Sequence, residues 1–194
     1  MQDARCLLER RMAMKKITSP GRFLTFGAYP RKFVQLLESE WAVPPETLLA
    51  DTGIEYSQLD NPELLVPFAE VVTIFRNGVA ACSAPDLALR YATRLRPSSH
   101  GLLGAAVLTV GSLQDAIDLF YDYIGLVAPF LLMHQEDRRS SRVLVFEMIS
   151  DVPVNAPFTF DIMLLSTFNI LKLILGERTR ELVFHFAHPK PANA

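Results

Sequence analysis

The sequence predicts an α+β domain: a helical N-terminal half followed by a small mixed sheet made of a hairpin, a long helix and a strand. Three observations carry this expectation. Between Pro30 and Ile124 apolar residues recur at spacings of three and four, the period of amphipathic helices. After Pro129 two short β-rich runs flank a polar tetrapeptide. Residues 157–176 are then apolar over a helix length and end at Gly176, and a last β-type run, ELVFHFA, follows.

Composition bounds the function. Half of the 194 residues are apolar and 21% are charged, which excludes intrinsic disorder and leaves ample material for one core. The net charge is −2, so the bulk balance does not announce nucleic acid. Cys6 and Cys82 provide neither a disulfide framework nor a metal-ligand spacing, and a cytoplasmic location is expected. Charge is uneven, because residues 1–40 carry net +4 and the remainder −6. A basic, flexible leader is expected over residues 1–28, ahead of a domain over 29–194. Glu9-Arg10-Arg11 interrupts the apolar run that a signal peptide would need.

The first helix begins at Pro30, with Phe33, Val34, Leu36 and Leu37 on its apolar face. Pro44-Pro45 opens a second, short helix, which Gly53 is expected to end in the left-handed conformation. Asp60-Asn61-Pro62 is loop chemistry. Pro67 starts a longer helix that places Phe68, Val71, Val72, Phe75, Val79 and Cys82 on one side, so Cys82 reads as a small buried hydrophobe. After Ser83-Ala84-Pro85-Asp86 a further helix carries Leu87, Leu89, Tyr91 and Leu95. A polar loop through Arg94, Arg96 and His100 leads to Gly101-Leu102-Leu103-Gly104, whose glycines are expected to allow close packing. No Lys-Ser/Thr pair follows them, so they are not a phosphate loop. Ser112 caps the next helix, with Asp115 three residues on.

The runs 130–137 and 142–149 predict a β-hairpin, and the second, apolar on both faces except for Glu147, predicts an inner strand. Residues 157–176 match a bilayer-spanning helix in length. They contain Asp161, Asn169 and Lys172 on one narrow stripe, and an aspartate or lysine near a spanning helix's centre costs roughly 2.5–3.5 kcal/mol. A core helix buried on nearly all sides is the expectation. Residues 181–187 are expected to add the third strand.

Catalytic patterns are missing. No GxSxG, HExxH, CxxC or Walker sequence occurs, and the four histidines, His100, His134, His185 and His188, stand apart. No enzyme activity, metal or cofactor is expected.

Several segments together resemble the N-terminal effector-binding region of AraC-type transcription regulators, in the subfamily whose module is labelled arabinose-binding. They are Thr52-Gly53-Ile54 with Leu59-Asp60-Asn61-Pro62-Glu63, Val66-Pro67, and Pro85-Asp86-Leu87-Ala88-Leu89. Further on come Leu95-Arg96-Pro97, His100-Gly101-Leu102-Leu103-Gly104 and Ser112-Leu113-Gln114-Asp115-Ala116. The last is Val183-Phe184-His185-Phe186-Ala187-His188-Pro189-Lys190-Pro191-Ala192. Shared order and spacing over roughly residues 30–194 carry the resemblance, with Gly101, Gly104, His188 and Pro189 as its structural marks. The chain departs from the family at Arg90-Tyr91-Ala92, where a glycine-containing run is common, and at Ala105, where tyrosine is.

The resemblance implies a domain that senses a small-molecule effector and self-associates as a homodimer. It also implies a further helix and strand, and a helix-turn-helix DNA-binding half beyond Ala194, so promoter DNA is expected as a partner of the full-length protein alone. The candidate ligand-binding residues are Arg94, Arg96 and His100 before the glycine pair, with Tyr121, Tyr123 and His134 as walls. Arginines there would suit a carboxylate effector with an apolar tail. The alternative is a ligand-independent dimerisation or protein-interaction module. The apolar excess is expected to meet a ligand, a second subunit or the rest of the domain.

Overall fold

The structure, a computed structural model, describes residues 23–128, 130–139, 141–148 and 156–189. It is mixed α+β, as the periodicities predict, with seven helices and two antiparallel two-stranded sheets among the described residues.

Strand β1 (Leu24–Phe26) pairs with β2 (Leu65–Pro67), placing Thr25 opposite Val66. β1 falls inside the segment read as a leader. Three residues are too few for alternation to show, and the partner strand lies far along the chain. The rest of that segment, residues 1–22, lies outside the described residues. Helix α1 (Ala28–Trp41) follows at once and buries Phe33, Val34, Leu36 and Leu37 completely. The short helix α2 (Pro45–Leu48) has Pro45 at its first position, as expected. Its termination differs from the expectation at Gly53. Asp51 takes the left-handed conformation instead (φ 60°), and the Thr52 hydroxyl donates to the Leu49 carbonyl at 2.6 Å. A short polar side chain that bonds locally makes this turn tolerable without glycine.

Helix α3 (Phe68–Ala81) starts after Pro67 and buries Val71, Val72 and Ile74, and Cys82 behind it is buried too. Helix α4 (Leu87–Arg94) buries Leu87, Ala88, Tyr91 and Ala92. The segment read as a polar loop is in part a 3-10 turn, Pro97–His100, and it runs straight into α5 (Gly101–Val107). Helix α6 (Leu113–Val127) is capped as expected: the Ser112 hydroxyl accepts the Asp115 N–H at 3.1 Å.

The hairpin forms as β3 (Leu131–Arg138) and β4 (Ser141–Met148), in a register running from Leu131 opposite Met148 to Arg138 opposite Ser141. Two expectations fail here. β4 is not an inner strand, since among the described residues its one partner is β3 and its side chains from Val143 to Met148 are half-buried. Residues 181–187 do not form a third strand: Glu181 closes a 3-10 turn, Gly176–Glu181, and residues 182–186 are irregular. Leu182 and Phe184 are half-buried and their neighbours Val183 and His185 exposed, but the segment is tied to a helix and not to a strand edge. Phe184 meets Phe168 edge-on at 5.6 Å, and His188 Nε2 lies 2.9 Å from Asp161 Oδ1.

Both of those partners belong to α7 (Ala156–Leu175), which ends at Gly176 with φ 55°. It is the one helix among the described residues long and apolar enough to cross a membrane. Two of the three residues of its polar stripe have tertiary partners, however: Asp161 holds His188, and the Asn169 amide donates to the Ala92 carbonyl at 3.0 Å, while Lys172 is exposed. The helix is less enclosed than its sequence suggests. Phe158, Ser166, Ile170 and Leu171 are buried, whereas Leu173 is 62% exposed.

The core has two parts. The larger gathers α1, α3 and α4 around Phe33, whose ring meets Phe75, Tyr91 and Phe158 edge-on at 4.8, 5.1 and 6.1 Å. Such aromatic pairs add about 0.5–1.5 kcal/mol each beyond their buried area. The smaller joins Val107, Ala116 and Ile170 from α5, α6 and α7.

Candidate functional site

A cavity of about 120 Å³ lies where the two parts of the core meet. Phe68, Phe75, Tyr91 and Leu95 wall it on the side of the larger part, Leu103 and Phe120 on the other. Helix α7 closes it with one continuous face, Thr159, Ile162, Met163, Ser166, Thr167 and Ile170, at spacings of three and four. No lining residue is an aspartate, glutamate, lysine or arginine.

The polar lining of the cavity comprises the hydroxyls of Thr25, Thr159, Ser166 and Thr167 and two rings that bond each other. Tyr29 stands in the first turn of α1, and its hydroxyl lies 2.8 Å from His100 Nδ1. His100 closes the 3-10 turn and is 8% exposed. The two glycines fix its place. A Cβ on Gly104 would stand 1.8 Å from the Pro97 carbonyl oxygen, so the helix can approach the turn this closely only without a side chain. Gly101 has φ 60° and faces the Phe26 ring, which a Cβ would meet at 2.4 Å. Tyr91 completes the frame by donating its hydroxyl to the Tyr29 carbonyl at 2.9 Å.

Burial sets the protonation states. It pushes the Tyr29 and Tyr91 phenols well above their ordinary range, so both keep their protons. It pushes His100 down to about 4, so the imidazole is neutral at pH 7. A neutral imidazole carries one N–H, and the tautomer follows from who needs a partner. The Tyr29 hydroxyl has His100 Nδ1 as its hydrogen-bond partner among the described residues. If Tyr29 donates to Nδ1, its buried proton is satisfied and the ring N–H sits on Nε2. The opposite tautomer would strand both the phenol proton and Nε2. The first arrangement leaves a single unmatched atom, and Nε2 of His100 is indeed buried without a protein partner.

A second hollow of about 380 Å³ lies under the hairpin, between Val143–Phe146 of β4, Phe160 and Leu164 of α7, and residues 185–188. It is more open in chemistry, with Arg138, His185 and His188 at its rim. Among the described residues no three His, Cys, Asp or Glu side chains converge as metal ligands would.

Comparison with known proteins decides the family. The family described as the arabinose-binding domain of AraC transcription regulators, N-terminal, matches residues 43–194. The chain belongs to this family. It is 27% identical to the ornithine utilization regulator of Pseudomonas aeruginosa over 172 residues, which cover 86% of the chain and 49% of that protein. It is 28% identical over 101 residues to uncharacterized HTH-type transcriptional regulators of Mycobacterium bovis and Mycobacterium tuberculosis, covering 50% of the chain and 29% of each. The chain therefore spans about half the length, or less, of these relatives.

Within this AraC-type domain the six residues singled out from the sequence do not form one group. His100 lines the cavity. Arg94 lies on the surface, its guanidinium 2.7 Å from Glu40 Oε1, and Arg96 is exposed beside the 3-10 turn. Tyr123 is 48% exposed and Tyr121 half-buried on α6, and neither lines the cavity. His134 sits on β3, with Nε2 3.5 Å from Glu136 Oε1 and Nδ1 buried without a partner, and it also lies outside the cavity. Sequence reasoning missed Tyr29, which stands at the edge of the presumed leader, and the α7 face. The signal for that face was present: Thr159, Ser166 and Thr167 share one side of an otherwise apolar helix.

Proposed function

We propose that this domain is the effector sensor of an AraC-type transcription regulator and that the cavity between the two parts of its core is the effector site. The observation that carries the reading is a largely apolar cavity between the two parts of the core, with a few polar side chains (Thr25, Tyr29, His100 and the hydroxyls of α7) among its walls and no ionic one. In this reading the domain does no chemistry of its own and works in the cytoplasm. It self-associates as a homodimer, and promoter DNA is engaged by a helix-turn-helix domain outside residues 1–194. Two findings support that division of labour: the chain covers about half of its longer relatives, and two of those are described as HTH-type regulators. An effector acts by population shift. It favours whichever arrangement of the domain it binds more tightly, and by no more than that difference in affinity.

A thermal-shift screen of amino acids, sugars, fatty acids and small aromatic compounds tests the sensor, since a molecule that binds the native state raises apparent stability. A hit at 100-fold its Kd is expected to stabilise by roughly 2.7 kcal/mol. Light scattering with and without the hit tests self-association. A concentration-dependent dimer indifferent to every compound would instead favour a ligand-independent dimerisation module.

A further inference from the structure

Resting on the reading of the cavity as the effector site, we propose that its ligand is a small uncharged molecule bearing hydroxyl, carbonyl or amide groups, and that the side-chain hydroxyls of Thr25 and Thr167 hold it.

These two hydroxyls remain once the other polar groups of the wall are matched with their partners. Tyr29 has His100, Tyr91 donates to the Tyr29 carbonyl, and Ser166 donates to the Met163 carbonyl at 3.0 Å. Thr159 has an interaction of its own. Nε2 of His100 is unmatched but fully buried, so a ligand does not reach it. Among the described residues neither the Thr25 nor the Thr167 hydroxyl has a hydrogen-bond partner. A helical threonine commonly bonds back to the carbonyl four residues earlier. For Thr167 that carbonyl is Met163, which already serves Ser166. Thr25 is the middle residue of β1, turned inward and 4% exposed. Its oxygen is nonetheless not one of the fully buried unmatched atoms, so the surface it keeps belongs to the space it lines. An unmatched polar group inside a core costs free energy until something bonds to it.

The wall also sets the class of ligand. A hydroxyl offers one hydrogen and two lone pairs, so the two threonines serve alcohols, carbonyls and amides alike. A charge is different. No aspartate, glutamate, lysine or arginine lines the space, His100 is neutral at pH 7, and both tyrosines keep their protons. Arg94 is paired with Glu40 on the surface and Arg96 is exposed, so neither answers a carboxylate here. An ion moved from water into this space would lose its hydration with no counter-charge to replace it. Volume sets the upper bound. A cavity of roughly 150 Å³ takes benzene, so this one, at about 120 Å³, takes a molecule of fewer non-hydrogen atoms.

Nitrogen–proton correlation NMR of the 194-residue chain reads binding at the cavity itself. The probes are n-butanol, propylene glycol and propionamide, with propionate and n-butylammonium as charged counterparts of the same size. The neutral probes are expected to shift the Thr25, Ser166 and Thr167 amides to saturation. The two ions are expected to leave those signals unmoved at the same concentration, a contrast that needs no variant. Thr25→Val and Thr167→Val keep the side-chain shape and remove the hydroxyl. Each should weaken propylene glycol and propionamide about fivefold, the ordinary worth of one hydrogen bond, and Thr25→Ser and Thr167→Ser should restore the affinity. An ion that shifts the cavity amides as its neutral counterpart does, or full affinity in either valine variant, would overturn the proposal. If no probe moves these signals, the broad thermal-shift screen decides. An uncharged hit weakened by both valine variants supports the ligand class. A charged hit, or one indifferent to either variant, keeps the sensor and discards this ligand, whereas silence in both experiments discards both readings.

Discussion

Gly104 shows how much one missing side chain can decide. Its Cα approaches the Pro97 carbonyl so closely that Gly104→Ala would place a methyl 1.8 Å from oxygen, an approach that only a backbone shift can relieve. We expect a loss of more than about 2 kcal/mol in denaturant unfolding, together with weakened ligand binding, because the same turn carries His100. The glycine pair was legible in the sequence as a close-packing device; that it packs on a turn and seats an imidazole was not, since neither periodicity nor motif specifies what the glycine meets. His100 gives a second expectation. Its folded value near 4 lies below the ordinary 6.5, so above pH 6.5 the ring is neutral folded and unfolded alike. As the pH falls from 6.5 toward 4 the unfolded chain takes up a proton that the folded chain refuses, and stability is lost by up to about 3 kcal/mol. Tyr29 and Tyr91, the phenols of the same frame, stay protonated throughout that window and do not offset it. Denaturation of wild type and His100→Leu across this range should differ in slope, the variant being flatter.

At the scale of elements, helices were readable and strands only in part, for a physical reason. A helix satisfies its backbone within itself, so a local pattern such as Phe33, Val34, Leu36 and Leu37 suffices to place α1. A strand needs a partner. The alternating run 182–186 found none, because Phe184 and His188 are drawn to Phe168 and Asp161 on α7, while the three-residue β1 found β2 from a distance that no local pattern reports. The cap of α6 was legible because its chemistry is local. Ser112→Ala should cost about 1 kcal/mol in unfolding free energy, with loss of helicity confined to the first turn of α6 in hydrogen exchange.

Across the whole molecule, the excess of apolar residues resolves into a core in two parts with a hollow between them. A ligand there touches both parts, so its binding should slow amide exchange in α3 and α6 together, though these helices belong to different clusters; protection in one alone would argue for a site elsewhere. None of this coupling was legible in the sequence, where the lining residues are scattered from Thr25 to Ile170. Helix α7 adds a mechanical consequence. Thr159 to Ile170 wall the inner cavity, Phe160 and Leu164 on the neighbouring face roof the hollow under the hairpin, and Asp161 tethers His188. The helix is thus a party wall between two rooms, and whatever presses on it from one side is felt in the other and along the tether to the last described residues.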